Sequence, residues 1–266
     1  MDLANLIVCI RGAGELASAV AHRLHRCNFK VLLTEIANPQ AVRRQVSFCE
    51  AVHSGCKEVE GVVTKLVIDP KEIEGVWRGG KIPLIVDPET NIKNIIKPDV
   101  LIDAIIAKRN TGTKITDAHL VIGLGIGFSA GRDVHVVIET NRGHNLGRLI
   151  FDGEAEADTG VPGVIEGYSK ERVFRAPKDG RFVTIKDIGD YVKSGDLVAM
   201  VDDCPIKVEI DGIIRGILAN GTKVHKGMKA GDVDPRSKKE YCNTISDKGR
   251  TIAGGVLEAI LFSFNK

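Results

Sequence analysis

The chain has 266 residues, of which 43% are hydrophobic and 27% charged, and its formal net charge is +2. That length accommodates two domains of ordinary globular composition, and the near balance of charge excludes bulk electrostatic attraction to nucleic acid or a membrane surface. No apolar run approaches the roughly 18 residues that cross a bilayer, and the opening Met-Asp-Leu-Ala-Asn lacks the cationic start of a secretory leader, so a soluble, cytoplasmic protein is expected.

Leu6 to Arg11 reads as a short buried strand. It runs into Gly12-Ala13-Gly14-Glu15-Leu16-Ala17, which fits the pattern G-x-G-x-x-G/A. In that pattern the first Gly makes a tight turn, the second lets backbone approach a pyrophosphate, and the third small residue lets helix and strand pack closely. Gly12, Ala13, Gly14, Glu15 and Leu16 are therefore the predicted nucleotide contacts, made through amides at the positive end of a helix. Leu16, Ala17, Val20, Ala21 and Leu24 supply the helical spacing. Lys30 to Ile36 reads as the next strand, and Glu35 stands 21 residues beyond Gly14, where an acid accepts from a ribose 2′-hydroxyl. The alternative is a glycine turn that merely joins strand to helix. Glu35 favours NAD over NADP, because a 2′-phosphate would meet its charge; Arg43 and Arg44 lie downstream and work against that preference.

A helix is expected over Gln40 to Val52, starting after Pro39. Apolar runs at Val62 to Ile68, Ile82 to Val86, Val100 to Ala107 and Leu120 to Leu124 predict further strands separated by helical or loop stretches. Such alternation implies an α/β fold, a Rossmann-like, mostly parallel sheet with helices on both faces. Three further stretches carry candidate chemistry. Lys108 and Arg109, after the strand ending near Ala107, offer cations for an anion, or a solvated basic loop. Gly123, Gly125 and Gly127 follow another strand and read equally as a binding loop or a tight corner. In Asp133 to Arg148, alternation predicts a strand with His135 and Glu139 on one face. Glu139, Arg142, His144 and Arg148 would then serve an anionic substrate, with His144 or Glu139 moving a proton; a polar, solvated face followed by a turn fits as well. His135, Glu139 and His144 lack diagnostic metal-ligand spacing, and no metal is expected. The six cysteines form no Cys-x-x-Cys pair and read as small buried hydrophobes.

After a linker read at 158–163, β-like runs replace the helical signal. Asp179-Gly180, Gly189, Val192 and Gly195 recur 32 residues later as Asp211-Gly212, Gly221, Val224 and Gly227. A two-copy repeat of short strands predicts interlocking halves around one small core. The spacing resembles the barrel-sandwich fold of biotinyl and lipoyl carrier domains, in which the modified lysine occupies the hairpin between the halves. Here the hairpin stretch Val201 to Lys207 has no Met-Lys-Met, and Lys207 reads as a surface residue. Asp232, Asp234 and Arg236 read as a turn fixed by Pro235, with a carboxylate site as the alternative. Ile252, Val256, Ala259 and Ile260 predict a closing helix with Ser246 as its cap; Gly254-Gly255 weakens it unless another element packs there. The expected domains are 1–163, Rossmann-like; 164–240, β-rich; and 241–266, a C-terminal helix.

Taken together, RGAGELA, AKRNTGT, GLGIGFSAGRDVHVVIETNRGHNLGR, ADTGVPG, the Gly-Asp-Val-Asp-Pro-Arg run at 231–236 and ISDKGRTIAGGVLEAI resemble the YqeB-like family, the selenium-dependent molybdenum hydroxylase system proteins. Related sequences tend to carry Pro where Ile126 stands. The resemblance implies a Rossmann-like domain and an accessory role in maturing a molybdenum hydroxylase, with no catalytic residues to carry over. The expected ligand is then NAD or another nucleotide, including a molybdopterin nucleotide. The expected partners are a molybdenum hydroxylase or its maturation proteins, with a homo-oligomer open. A runner-up is an NAD-dependent oxidoreductase acting on a small anionic substrate; a carrier or interaction module is third.

Overall fold

A computed structural model describes residues 3–157 and 160–265. Asp158 and Thr159 of the expected linker lie outside the described residues. The chain divides into two compact units: Met1–Pro39, Ser47–Asp158 and Ile245–Lys266 form the first, and Gln40–Val46 with Thr159–Thr244 the second. The closing helix is thus part of the first unit, and a short piece of the amino-terminal half belongs to the second.

The first unit opens β1 (Ile7–Arg11), α1 (Glu15–Arg26) and β2 (Lys30–Glu35). It continues through α2 (Ala51–Ser54), β3 (Cys56–Val59), β4 (Val62–Val67), α3 (Ile73–Arg78), β5 (Ile82–Val86), α4 (Lys93–Ile96) and β6 (Val100–Asp103). Then come β7 (Leu120–Leu124), β8 (Ser129–Ala130), β9 (Val136–Ile138), β10 (Leu149–Ile150) and β11 (Gly153–Glu154), with α5 (Asp247–Phe264) added from the far end of the chain. Nine strands form one mixed sheet in the order β10-β9-β7-β6-β1-β2-β5-β4-β3. All its pairings are parallel except the two edges, β10 on β9 and β3 on β4. Because β2 and β6 flank β1, the strand order reverses at β1, and in open α/β sheets the carboxyl end at such a point is where ligands settle.

Alternation along the central strands sends side chains to two covered faces. Cys9, Leu32 and Ile85 pack with Ile73 and Val76 of α3 and with Ile92, and farther along the sheet Leu101, Val121 and Val137 pack with Phe128 and Ala130. The other face meets α1 and α5, which lie against each other. Their approach explains two glycines: a Cβ on Gly249 would sit 2.9 Å from Ala19 Cβ, and one on Gly255 would collide with the Gly147 carbonyl. The Gly254-Gly255 pair that weakens α5 by propensity therefore admits a neighbouring backbone. Ser246 Oγ caps the helix, accepting from Gly249 N–H at 3.2 Å.

Two expectations need correction, and one hairpin was not foreseen. Gln40 to Val52 is not one helix; it holds 3₁₀ turns at Arg44–Val46 and Phe48–Glu50 and the four-residue α2. Its backbone groups are spent elsewhere, the Val42 carbonyl on Ile217 N–H and the Cys49 N–H on the Ala13 carbonyl. The strand expected to reach Ala107 stops at Asp103, and Ile106 and Lys108 beyond it take φ values of 60° and 61°. The hairpin β3–β4 was not foreseen, although Glu60-Gly61 between apolar runs is a turn signal, with φ values of 46° and 81°.

In the second unit a first half, β12 (Val173–Arg175), β13 (Gly180–Thr184), β14 (Tyr191–Val192) and β15 (Leu197–Val201), precedes a second, β16 (Cys204–Lys207), β17 (Gly212–Ile217), β18 (Lys223–Val224) and β19 (Lys229–Asp234). They build two four-stranded sheets, β12-β19-β17-β14 and β16-β15-β13-β18, so each sheet takes two strands from each half. The 32-residue repeat reappears as reciprocal hydrogen bonds. Asp179 Oδ1 accepts from Lys226 N–H at 2.7 Å, and Asp211 Oδ1 from Ser194 N–H at 2.8 Å. Gly221 N–H donates to the Phe182 carbonyl at 2.7 Å, and Gly189 N–H to that of Ile214 at 2.9 Å. Both halves contribute to one core around Phe182, Val198, Val201, Ile214 and Val233.

Candidate functional site

The site begins where β1 ends. Gly12 takes φ 93°, which favours glycine, and a Cβ there would lie 3.3 Å from the Ala104 carbonyl oxygen, so the turn is held against the end of β6. Gly14, the N-cap of α1, is extended, has no side-chain capping bond, and would meet nothing within 4 Å if given a Cβ. Gly12 N–H is spent on the Thr34 carbonyl at 2.9 Å, and the open space lies at Gly14's missing side chain, at the positive end of the helix dipole. Ala17 is fully buried, as close strand–helix packing requires.

Glu35 joins this loop directly. Its carboxylate accepts from Ala13 N–H and from Ile36 N–H, each at 2.8 Å. Burial pushes its pKa up, while the two amide bonds pull the other way without cancelling the rise. The carboxylate is therefore held against the loop, next to Gly14. Glu15 sends its carboxylate to the Ser246 hydroxyl at 3.0 Å, which ties α1 to the cap of α5. Two features bear on a nucleotide diphosphate: a helix start with no side-chain cap and an open Cβ position at Gly14, and an acid bonded to the neighbouring Ala13 N–H.

Beneath the loop lies a buried network that the sequence reading missed. Arg11 Nη1 donates to Asp103 Oδ2 at 2.8 Å and to Thr113 Oγ1 at 2.7 Å, and Arg11 Nε donates to Thr90 Oγ1 at 3.0 Å. Thr113 Oγ1 donates in turn to Asp103 Oδ2 at 2.6 Å. Arg11 and Asp103 are almost fully buried, so the pair joins the carboxyl ends of β1 and β6 in a low-dielectric setting. An arginine closing an apolar strand just before a glycine turn was the available signal.

The second glycine cluster has another role. A Cβ on Gly123 would lie 2.5 Å from the Phe128 ring, one on Gly125 would collide with Thr140 Oγ1, and one on Gly127, at φ 102°, would lie 2.6 Å from the Arg109 backbone. Each missing side chain admits part of the protein itself, which is the tight-corner reading; none leaves an open cradle. Gly127 also seats the basic loop: Lys108 and Arg109 are exposed beyond β6, with Ile105 and Ile106 exposed beside them.

The expected substrate group does not assemble around one point. Both faces of β9 are buried, and Glu139, 2% exposed, is not on a solvated face. Its carboxylate is spent on the N–H groups of Asn141 and Glu156, each at 2.7 Å. His135 Nδ1 accepts from Val121 N–H at 3.0 Å, and burial, followed by the charge of His119, lowers its pKa. Arg142 makes a bidentate pair with Asp247, both bonds at 2.7 Å. His144 is exposed, and Arg148 reaches Asn145 Oδ1 at 3.5 Å. Of this set only Glu139 and Arg148 line a common cleft, in company with Asp152, Glu154 and Glu156, which gives that cleft an acidic lining. Among the described residues no group of three or more His, Cys, Asp or Glu is placed to hold a metal. Burial pushes the Cys9 thiol up to about 12, with the Asp87 charge adding to the rise, so it stays protonated and inert.

In the second unit, Asp232 and Asp234 are buried and neutralised within the fold. Asp232 accepts from Lys229 Nζ at 2.7 Å and Arg215 Nε at 3.1 Å, and Asp234 pairs with Arg236 at 2.6 Å. Burial alone would raise the Asp232 carboxyl, but the Lys229 and Arg215 charges outweigh it and hold the group well below the usual range. The hairpin between the halves turns at Asp202-Asp203, whose partner is Lys178, and Lys207 lies on β16 instead of at the tip.

No protein-family model matches the sequence. Over 255 residues, 96% of this chain, it is 45% identical to the uncharacterized protein YqeB of Escherichia coli strain K12, of which the match covers 47%. The chain thus spans about half the length of the curated relative it matches. Among solved structures, an aspartoacylase family protein from Mesorhizobium loti aligns over 86% of this chain and 85% of its own, with 12% identity and a TM-score of 0.28. The product-bound ectoine utilization protein EutE from Ruegeria pomeroyi aligns over 80% and 61%, with 12% identity and a TM-score of 0.25. Scores this low carry neither fold nor function across. Among the described residues no helix is long and apolar enough to cross a membrane.

Proposed function

We propose that this chain is a nucleotide-binding accessory protein whose ligand lays its diphosphate over Gly14 at the start of α1. The first unit is then a Rossmann-like domain, and the second a barrel-sandwich of the biotinyl and lipoyl kind used as a scaffold, since its hairpin tip carries aspartates in the lysine's place. One observation carries the reading: the Glu35 carboxylate is bonded to Ala13 N–H at 2.8 Å, beside a Gly14 whose missing side chain leaves open space. Those two features are what a ribose and a pyrophosphate need from neighbouring strand ends.

The wider role follows from the resemblance to the YqeB-like proteins: maturation of a molybdenum hydroxylase, with NAD or a molybdopterin nucleotide as the ligand. Native mass spectrometry of freshly purified protein tests the proposal. A retained mass matching a nucleotide, lost in Gly14→Val, is expected; a mass retained equally by both proteins would place the ligand elsewhere.

A further inference from the structure

The carboxyl end of the parallel sheet leaves aliphatic side chains in water on both sides of the Gly12–Gly14 loop. On one side, Val86 stands directly opposite Glu35 in the β2–β5 register, so both lie on the same face of the sheet, and Val86 is 39% exposed. Ile36, whose N–H donates to the Glu35 carboxylate at 2.8 Å, is 44% exposed. On the other side, past the end of β6, Ile105 and Ile106 are 40% and 37% exposed. Ile105 reaches the loop itself, because a Cβ on Gly12 would lie 3.4 Å from its Cα.

Ile106 takes φ 60°, in the left-handed region that a β-branched residue avoids. The turn is held from both ends. Before it, Asp103 Oδ1 accepts from Ile105 N–H at 3.2 Å while Asp103 Oδ2 holds Arg11 at 2.8 Å. After it, Asn110 Oδ1 accepts from the N–H groups of Gly112 and Thr113, each at 2.9 Å, and Thr113 Oγ1 donates back to Asp103 at 2.6 Å. Strain of this kind persists only where the surrounding structure over-determines it, and here it keeps two aliphatic side chains out of the core. Strand spacing limits what one ring can cover. β5, β2, β1 and β6 are neighbours in that order, and at about 4.8 Å per strand the outer pair lie about 14 Å apart. A ligand centred on the loop that stops at its diphosphate therefore leaves one apolar side in water.

We infer that the ligand carries a ring at each end of its diphosphate, one lying on Ile36 and Val86 and the other on Ile105 and Ile106. This ligand class rests on the nucleotide reading above and narrows it, since a mononucleotide fills only half of the site. Aliphatic side chains offer a flat ring burial without a hydrogen-bond code, so they select the number of rings and not their identity.

Calorimetric titration of the full chain with ADP-ribose and with diadenosine diphosphate provides the test, because the two share an adenosine, a diphosphate and a second ribose and only the latter carries a second ring. Diadenosine diphosphate is expected to bind about tenfold more tightly, the scale of burying one ring face on two aliphatic side chains. Ile106→Gly should erase that gain; glycine accepts φ 60° without strain, so the turn stands while its side chain is gone. Ile36→Ser, at an exposed position, should weaken both probes by one common factor of about fivefold. Binding of neither probe would overturn the nucleotide reading and the two-ring ligand with it. Equal binding of the two probes, a gain that survives Ile106→Gly, or an Ile36→Ser protein that binds both as the native chain does would overturn the two-ring ligand alone.

Discussion

The two glycine clusters of the first unit, Gly12–Gly14 and Gly123–Gly127, both follow a parallel strand and both look like cradles in the sequence, but only the first is open. Opposite Gly14 there is space, and an acid waits at its side; opposite Gly125 and Gly127 stand Thr140 and the backbone of Arg109. A glycine marks a place where a Cβ is unwelcome, and what displaces it decides whether the place serves a ligand or the fold. The first loop rests on the buried Arg11–Asp103 pair, the second on steric fit.

The contrast breaks most sharply at the support of the first loop. Asp103→Asn leaves Arg11 buried without its counter-charge and should cost about 3–5 kcal/mol in urea unfolding; a loss below about 1 kcal/mol would mean that the network does not hold the loop. Next is Gly127→Ala, which must place a Cβ 2.6 Å from Arg109 backbone at φ 102°. It should cost about 2–3 kcal/mol. Gly14→Val is the mirror case. Its stability should change by no more than about 1 kcal/mol, the scale of an altered N-cap, while calorimetric affinity for ADP-ribose falls beyond detection.

The smallest effect sharpens the role of Glu35. Removing its charge with Glu35→Gln should weaken ADP-ribose about tenfold, the scale of one hydrogen bond to a charged group. Because the Glu35 pKa is raised, its ionised form is lost as pH falls through that raised value. Affinity should therefore fade at a higher pH than an ordinary glutamate, near 4.3, would allow, and the pH dependence should be absent in Glu35→Gln.

The first loop was legible because its parts are near in sequence or set by strand ends: Gly12, Gly14 and Ala17 are consecutive signals, and Glu35 closes the next strand. The repeat was legible because its glycines keep one spacing, and the reciprocal bonds of Asp179 and Asp211 follow from it. The role of Gly125 and Gly127 was hidden, since Thr140 and Arg109 lie outside the cluster and no local pattern foretells their approach. Glu139 misled for a related reason. Alternation placed it on a polar face, but the amides of Asn141 and Glu156 fold back to bury it. The irregular stretch 40–46 was hidden too, because the partners of Val42 and Arg44, at Ile217, lie more than a hundred residues away.

Amide chemical shifts, followed while ADP-ribose is titrated into isotope-labelled protein, address the central claim most directly. The account predicts saturable shifts at Ala13, Gly14, Glu15 and Leu16, with Gly125 and Gly127 unmoved. Shifts centred on Gly125 and Gly127, or none at the start of α1 at saturating ligand, would contradict it.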